Sequence, residues 1–175
     1  MSAPFPPPDL AGTAVVVMGA SGSGKTVLAL RLAEALGVPY AEADDFHSAE
    51  AVATMAGGTP LTDEDRWPWL RRLRDWMSER AQSRGAVVTC SALKRSYRDL
   101  LSAAPVRVRF LYVTAPEELV RSRMAARVHF MPPSLLDSQL ATLEPLQPDE
   151  DGVVLANDSS LDDLVERALH ALAAD

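Results

Sequence analysis

The feature that most constrains this chain is an eight-residue run: Gly19, Ala20, Ser21, Gly22, Ser23, Gly24, Lys25 and Thr26. It fits the pattern G-x-x-x-x-G-K-[ST] at every fixed position. The flanks supply the context that this pattern needs. Ala14 to Met18 is a continuous apolar stretch that reads as a buried strand. From Lys25 to Leu36 the apolar residues return at helical spacing, with Leu28, Leu32, Ala35 and Leu36 along one face, and Gly37 and Pro39 end the helix. Strand, glycine loop and helix together make a cradle for a polyphosphate. Glycine lets backbone N–H groups turn inward, and the new helix adds its positive dipole end. Lys25 then reaches the β- and γ-phosphates, and the Thr26 hydroxyl is placed to ligate Mg²⁺.

The motif predicts ATP and Mg²⁺ but leaves the phosphate acceptor open. Composition removes some choices. The 175 residues carry a formal charge of −7, which argues against a nucleic-acid partner. No apolar run is long enough to cross a bilayer. The first nine residues are proline-rich and lack the basic start and apolar core of a signal peptide, so residues 1–11 are expected to form a disordered leader. Cys90 is the single cysteine, which excludes an intrachain disulfide and suits a reducing cytoplasm. Positive charge is carried by fifteen Arg and only two Lys, Lys25 and Lys94. Lys25 sits where a slim point charge must enter the cradle, and Lys94 invites the same question.

Past the loop, strand and helix patterns alternate. Strands are expected at 14–18, 38–41, 86–90, 106–113 and 153–155, and helices at 25–36, 48–55, 66–83, 95–103, 116–127, 134–143 and 160–173. Thr62-x-x-Asp65, Thr114-x-x-Glu117 and Ser134-x-x-Asp137 resemble capping boxes. Pro68 and Pro116 are expected in first turns, where a missing N–H costs little. Trp69, Leu73, Trp76 and Met77 share one helix face and read as core, as do Leu161, Leu164, Val165, Ala168, Leu169 and Leu172. Residues 12–175 therefore form one α/β domain: a parallel sheet covered by helices on both faces, the three-layer P-loop fold. Ligands of such folds bind beyond the carboxyl ends of the strands.

Residues just past the end of each strand are thus candidates for the site. After the second strand, Glu42, Asp44, Asp45 and His47 fall within six residues. One carboxylate there can take the proton of an attacking hydroxyl, and another can serve Mg²⁺. Asp44 is the favoured base and Glu42 the favoured metal residue, although the spacing alone leaves the two roles exchangeable. After the third strand come Cys90 and Ser91, with no Asp to complete a metal site. Cys90 reads as a buried structural thiol. Lys94 and Arg98 are i,i+4, as are Arg123 and Arg127, and each pair is expected to meet an anion together. Val128 to Pro133 reads as a flap, so Arg123 and Arg127 can close over the phosphates.

These segments resemble the bacterial-type gluconokinases, small P-loop kinases related in fold to shikimate and nucleoside monophosphate kinases. The likeness is carried by the Gly19–Thr26 loop, by Asp44-Asp-Phe-His47, by Pro60-Leu-Thr-Asp-Glu-Asp-Arg-Trp-Pro-Trp-Leu70, and by Cys90-Ser-Ala-Leu-Lys-Arg-Ser-Tyr-Arg-Asp-Leu-Leu101. His129-Phe-Met-Pro-Pro-Ser-Leu-Leu-Asp-Ser-Gln139 looks like the family's lid, set within about residues 123–143. The resemblance implies ATP-dependent phosphorylation of D-gluconate at its 6-hydroxyl, a short helical lid and a homodimer. It assigns the acceptor's carboxylate to Arg66, Lys94 and Arg98, and its hydroxyls to Asp44, His47 and His129. The chain departs from the family at Ala43, in the shortened Arg127-Val-His-Phe130 run, and at Ser48, Ala51 and Thr54, where Pro, Asn and Lys are usual. A kinase of another small hydroxy acid, or an ATP-binding paralogue without gluconate activity, fits the same residues.

Overall fold

The computed structural model describes residues 6–126, 132 and 134–174. Five strands, β1 (Thr13–Met18), β2 (Tyr40–Glu42), β3 (Ala86–Thr89), β4 (Arg107–Thr114) and β5 (Gly152–Ala156), form one sheet in the order β2-β3-β1-β4-β5. Every pairing is parallel; Val16 of β1, for example, lies between Val88 and Phe110. The helices are α1 (Lys25–Leu36), α2 (Ala49–Ala56), α3 (Asp63–Arg80), α4 (Arg95–Ser102), α5 (Glu117–Ala126), α6 (Leu135–Thr142) and α7 (Leu161–Ala173).

The apolar run of β1 is buried on both faces, and its alternation sorts the core into two layers. Ala14, Val16 and Met18 face α3 and α4, against Trp69, Leu70, Leu73, Met77, Tyr97 and Leu101. Val15 and Val17 face α1 and α7, against Leu28, Leu32, Leu164, Val165, Ala168 and Leu172. The chain leaves β1 to build β2 and β3 on one side and β4 and β5 on the other. The carboxyl end of β1 is therefore the point where strand order reverses, and the phosphate loop sits there.

Several expectations are corrected. Helix α3 begins at Asp63, three residues early, because the Thr62 hydroxyl accepts from the Asp65 N–H while the Asp65 carboxylate accepts from the Thr62 N–H. Pro68 thus lies inside the helix, in its second turn. Ser134 makes no side-chain cap. Ala35 is exposed, and the buried face of α1 runs through Leu28, Ala29, Leu32 and Ala33. Leu10, placed in the leader, is buried in the α1/α7 layer, and the Gly12 N–H donates to Ala81 O.

Candidate active site

The phosphate loop links β1 to α1, and two of its glycines are demanded, Gly19 by a main-chain contact as well as by backbone and Gly24 chiefly by backbone. Gly19 has φ +143°, and a Cβ there would lie 2.6 Å from Val113 O. Gly24 has φ +100°, and a Cβ there would lie 2.5 Å from Asn157 Nδ2. Both positions require glycine. Ser21, Gly22, Gly24, Lys25 and Thr26 line a cleft of about 630 Å³, with Glu42 and Asp44 from the end of β2, Arg123 from α5, and Asn157, Ser159 and Leu161 beyond β5.

Around the loop each expected side chain has a definite place. Thr26 Oγ1 lies 3.4 and 3.3 Å from the two Glu42 carboxylate oxygens, and Tyr40 Oη donates to Glu42 Oε2 at 2.6 Å. Burial, followed by the hydrogen bond and charge of Glu42, raises the Tyr40 phenol above its usual range, so it stays a donor. A hydroxyl and a carboxylate beside Lys25 form the small, hard oxygen set that suits Mg²⁺, which takes its remaining ligands from phosphate and water. Arg123 Nη1 donates to Gly22 O at 3.2 Å, so its guanidinium is docked on the loop. Asn157 Nδ2 donates to Ser23 O at 3.0 Å from the opposite wall. Asn157 was missed from sequence, yet it lies just past the last strand, where the strand-end rule points.

Asp44 belongs to a 3₁₀ turn, Ala43–Phe46, braced by α3. Trp69 Nε1 donates to Ala43 O at 2.7 Å, and Arg72 Nε donates to Phe46 O at 2.9 Å. His47 closes the turn with its ring stacked on Trp69, centroids 4.1 Å apart and planes at 18°. It lines neither cleft of the site. Burial pulls its imidazole down to about 4, and Arg66 and Arg72 also lower it against the opposing charge of Asp44. The ring is neutral near pH 7, and its Nδ1 is buried without a hydrogen-bond partner among the described residues.

A second cleft, about 360 Å³, is lined by residues 60–64, Arg66, Lys94, Ser138 and Thr142. Its charges converge on Tyr97, which is 1% exposed. Tyr97 Oη accepts from Arg66 Nη1 at 2.6 Å and donates to Asp63 Oδ1 at 2.6 Å. Lys94 Nζ lies 3.1 Å from the same Asp63 oxygen. The Tyr97 bond, then the Lys94 bond, holds the Asp63 carboxyl below its usual range.

Arg98 does not join this group. Lys94 holds the N-cap position of α4 and reaches Asp63 in the second cleft, whereas Arg98 is wholly buried. Its Nε and Nη2 meet the two oxygens of Glu150 at 2.6 and 3.0 Å, Nη1 donates to Ala92 O at 2.8 Å, and Nη2 donates to Pro145 O at 3.2 Å. Four bonds in the core replace the expected acceptor contact. Cys90 is buried as expected, and burial pushes its thiol up to about 12. Within the expected lid, α5 and α6 pack on the loop and on α2: Val120, Met124 and Leu136 cluster with Ala20, and Leu135 with Met55 and Leu61. Arg127 and His129 lie outside the described residues.

This geometry has close counterparts. The family model described as an AAA domain matches residues 15–146. The gluconokinase of Gluconobacter oxydans (strain 621H) is 42% identical over 163 residues, 92% of each chain. The chain belongs to the gluconokinase family. A gluconokinase structure from Sinorhizobium meliloti 1021 superposes with TM-score 0.82 at 43% identity, covering 93% of this chain and 92% of that one. An unliganded sugar kinase from Janibacter sp. HTCC2649 superposes with TM-score 0.87 at 56% identity, covering 91% and 94%. The three-layer P-loop kinase fold is thus shared over nearly the full length of these chains.

Proposed function

We propose that this protein transfers the γ-phosphoryl group of ATP to the 6-hydroxyl of D-gluconate, giving 6-phosphogluconate and ADP. The observation that carries the reading is the pair of clefts: Lys25 and Asp44 share the nucleotide cleft, and Arg66 and Lys94 share the second. His47 ends the turn that carries Asp44 and stacks on Trp69 of α3, the helix that carries Arg66, which ties the two clefts to one locality. An extended hydroxy acid spans such an arrangement with its carboxylate at Arg66 and Lys94 and its far hydroxyl at Asp44.

In the transfer, the acceptor oxygen forms a bond to the γ-phosphorus while the bond to the β-phosphate oxygen breaks. The hydroxyl proton passes to the Asp44 carboxylate, and ADP leaves. Little covalent chemistry is asked of the protein, so positioning and charge dominate. Lys25 and the loop N–H groups meet the charge that spreads over the phosphoryl oxygens, and Arg123 adds a cation from α5. Thr26 and Glu42 would hold Mg²⁺, which neutralises phosphate charge when bound. His47, neutral and stacked, fixes the turn that aims Asp44. The flap Arg127 and His129 belong to the same proposal as phosphate clamp and acceptor contact; the family resemblance adds a homodimer, and the single Cys90 a cytoplasmic setting.

ADP release measured with gluconate, shikimate, gluconolactone and neutral hexoses at equal concentration tests the acceptor. Gluconate should lead, and Lys25→Ala should abolish turnover with the melting temperature kept. Faster turnover of glucose than of gluconate, or ATP binding with no gluconate signal, would refute the reading.

A further inference from the structure

A phosphate loop works only if its N–H groups face the phosphate, and the Ser23–Gly24 peptide has two ways to lie. Glycine takes positive and negative φ about equally, so the peptide plane before Gly24 turns over at little cost. The preceding unit is fixed at both ends: the Gly22 carbonyl accepts from Arg123 Nη1 at 3.2 Å, and the Ser23 N–H donates to Ala20 O at 3.2 Å. The Ser23–Gly24 unit is fixed at one end. Its carbonyl accepts from Asn157 Nδ2 at 3.0 Å, and its N–H meets no protein acceptor among the described residues. Asn157 is itself firmly held. It is the first residue past β5, and its N–H donates to Thr114 O at 2.7 Å, which carries the β4–β5 pairing one step further. The approach is close, since a Cβ on Gly24 would lie 2.5 Å from Asn157 Nδ2.

We infer that Asn157 is a positioning residue for phosphoryl transfer: it pins the Ser23 carbonyl and thereby turns the Gly24 N–H into the phosphate cradle. This rests on the nucleotide reading of the first cleft, which Gly24 and Asn157 both line. In a trans peptide the C=O and N–H point in opposite directions, and no cis peptide occurs among the described residues. A donor on the carbonyl therefore decides where the N–H goes. Asn157 Nδ2 attracts the Ser23 oxygen and would repel the N–H of a turned-over unit. Turning over would also bring a carbonyl dipole to face the phosphate in place of a donor. Gly24 has to be glycine at φ +100°, and glycine brings the freedom that Asn157 then removes. The gain is preorganisation, with the donor aimed before the charge arrives. Where the peptide is not pinned, only a fraction of molecules presents the competent orientation, and apparent nucleotide affinity falls by that fraction.

Two measurements on the full chain test this: the Kd of ADP with Mg²⁺ by calorimetry, and NMR relaxation of isotope-labelled glycine amides with and without ADP. In the wild type the free Gly24 amide should show no microsecond-to-millisecond exchange, and its proton should move downfield as ADP saturates. In Asn157→Leu, close in size but without the donor, the ADP Kd should rise about fivefold to fiftyfold. Exchange should appear at Gly24 in the free variant, spare the remote Gly37 and Gly85, and be quenched by ADP. A contact of Asn157 with the base or ribose would weaken ADP without new exchange at Gly24. A merely structural role would lower the melting temperature and spread exchange to Gly37 and Gly85. Either result overturns the positioning role. Should Asn157→Leu not fold, Asn157→Ala gives the same comparison, and the wild type is decisive by itself: a Gly24 amide that already exchanges when free, or that ignores ADP, overturns the role. Equal ADP affinity in wild type and variant overturns the positioning alone, whereas a wild type that binds no ADP overturns the nucleotide reading together with it.

Discussion

Replacing Arg98 by Ala should unfold this protein long before it changes substrate recognition. The guanidinium is wholly buried, and the Glu150 side chain opposite is 4% exposed. Four hydrogen bonds end on it, two to the carboxylate and two to main-chain carbonyls. Removing it strands a buried anion, which typically costs about 3–5 kcal/mol. For a domain of this size that lowers Tm by roughly 6–20 °C. The pH dependence adds a sign. Burial alone would raise the Glu150 carboxyl, but the Arg98 bond and the Gln147 N–H prevail and hold it below its usual range. A depressed carboxyl contributes stability that is present above its unfolded value and is lost as pH falls through the folded one. The wild-type melting temperature should therefore drop as pH falls below the ordinary glutamate range. In Arg98→Ala the buried carboxylate keeps, as a cation, only the longer contact to Arg95 Nε at 3.8 Å, and that step should shrink. Replacing Arg98 by Met and Glu150 by Leu together should restore most of the loss, because an apolar pair leaves no stranded charge. Thermal melts of the wild type and both variants across pH, with steady-state KM for gluconate at a temperature where each is folded, decide the matter. A small change in Tm with a large rise in gluconate KM would show that Arg98 is an acceptor cation after all.

The site itself carries two further expected outcomes. Gly24→Ala puts a methyl group 2.5 Å from Asn157 Nδ2 at φ +100°. The strain of about 1–3 kcal/mol should weaken ATP binding by roughly fivefold to a hundredfold, read by calorimetry, and unchanged binding would contradict the tight loop. His47 should titrate near pH 4 by NMR, as burial and its arginine neighbours require. Its contribution to stability is then present above its ordinary value of 6.5 and lost as pH falls toward 4; Trp69→Ala should move the titration back up, and a wild-type value near 6.5 would refute the buried stack.

Much of the fold was legible because it is written in local pattern. The apolar strands and amphipathic helices each announce themselves within a dozen residues, and α1 runs over the expected 25–36. The nucleotide loop was legible for the same reason, being contiguous. The features that escaped are long-range. Arg98 and Lys94 share i,i+4 spacing, but Lys94 caps the helix, and the partner of Arg98 is 52 residues away at Glu150. Spacing on a helix says which residues are neighbours; it does not say which way the rest of the protein lies. The loop contacts of Asn157, and of Gln139 at the end of the expected lid stretch, escaped for a related reason. Each reaches the loop from more than a hundred residues downstream, 134 for Asn157 and 118 for Gln139, with no local signature. The start of α3 was within reach of local pattern, since the Thr62–Asp65 capping box was visible and outweighs Pro68.

The departures from the family at Ser48, Ala51 and Thr54 have a local structural account. Each is absorbed by α2 itself. Ser48 is the helix N-cap and accepts from the Ala51 N–H at 3.1 Å, while Thr54 Oγ1 returns to Glu50 O at 2.9 Å. Ala51 packs beside Met55, Leu61 and the α6 residue Leu135. Where the family commonly carries an amide and an ammonium group, Ala51 makes an apolar contact with α6, and none of the three residues lines either described cleft. With Arg98 in the core and Lys94 paired to Asp63, Arg66 is the cation of the second cleft that donates to a neutral phenol, Tyr97. A guanidinium held by one oxygen keeps the rest of its planar fork for a carboxylate. On the proposed reading, Arg66, positioned by Tyr97, is therefore the leading cation for an acidic acceptor, with Lys94 beside it in the same cleft.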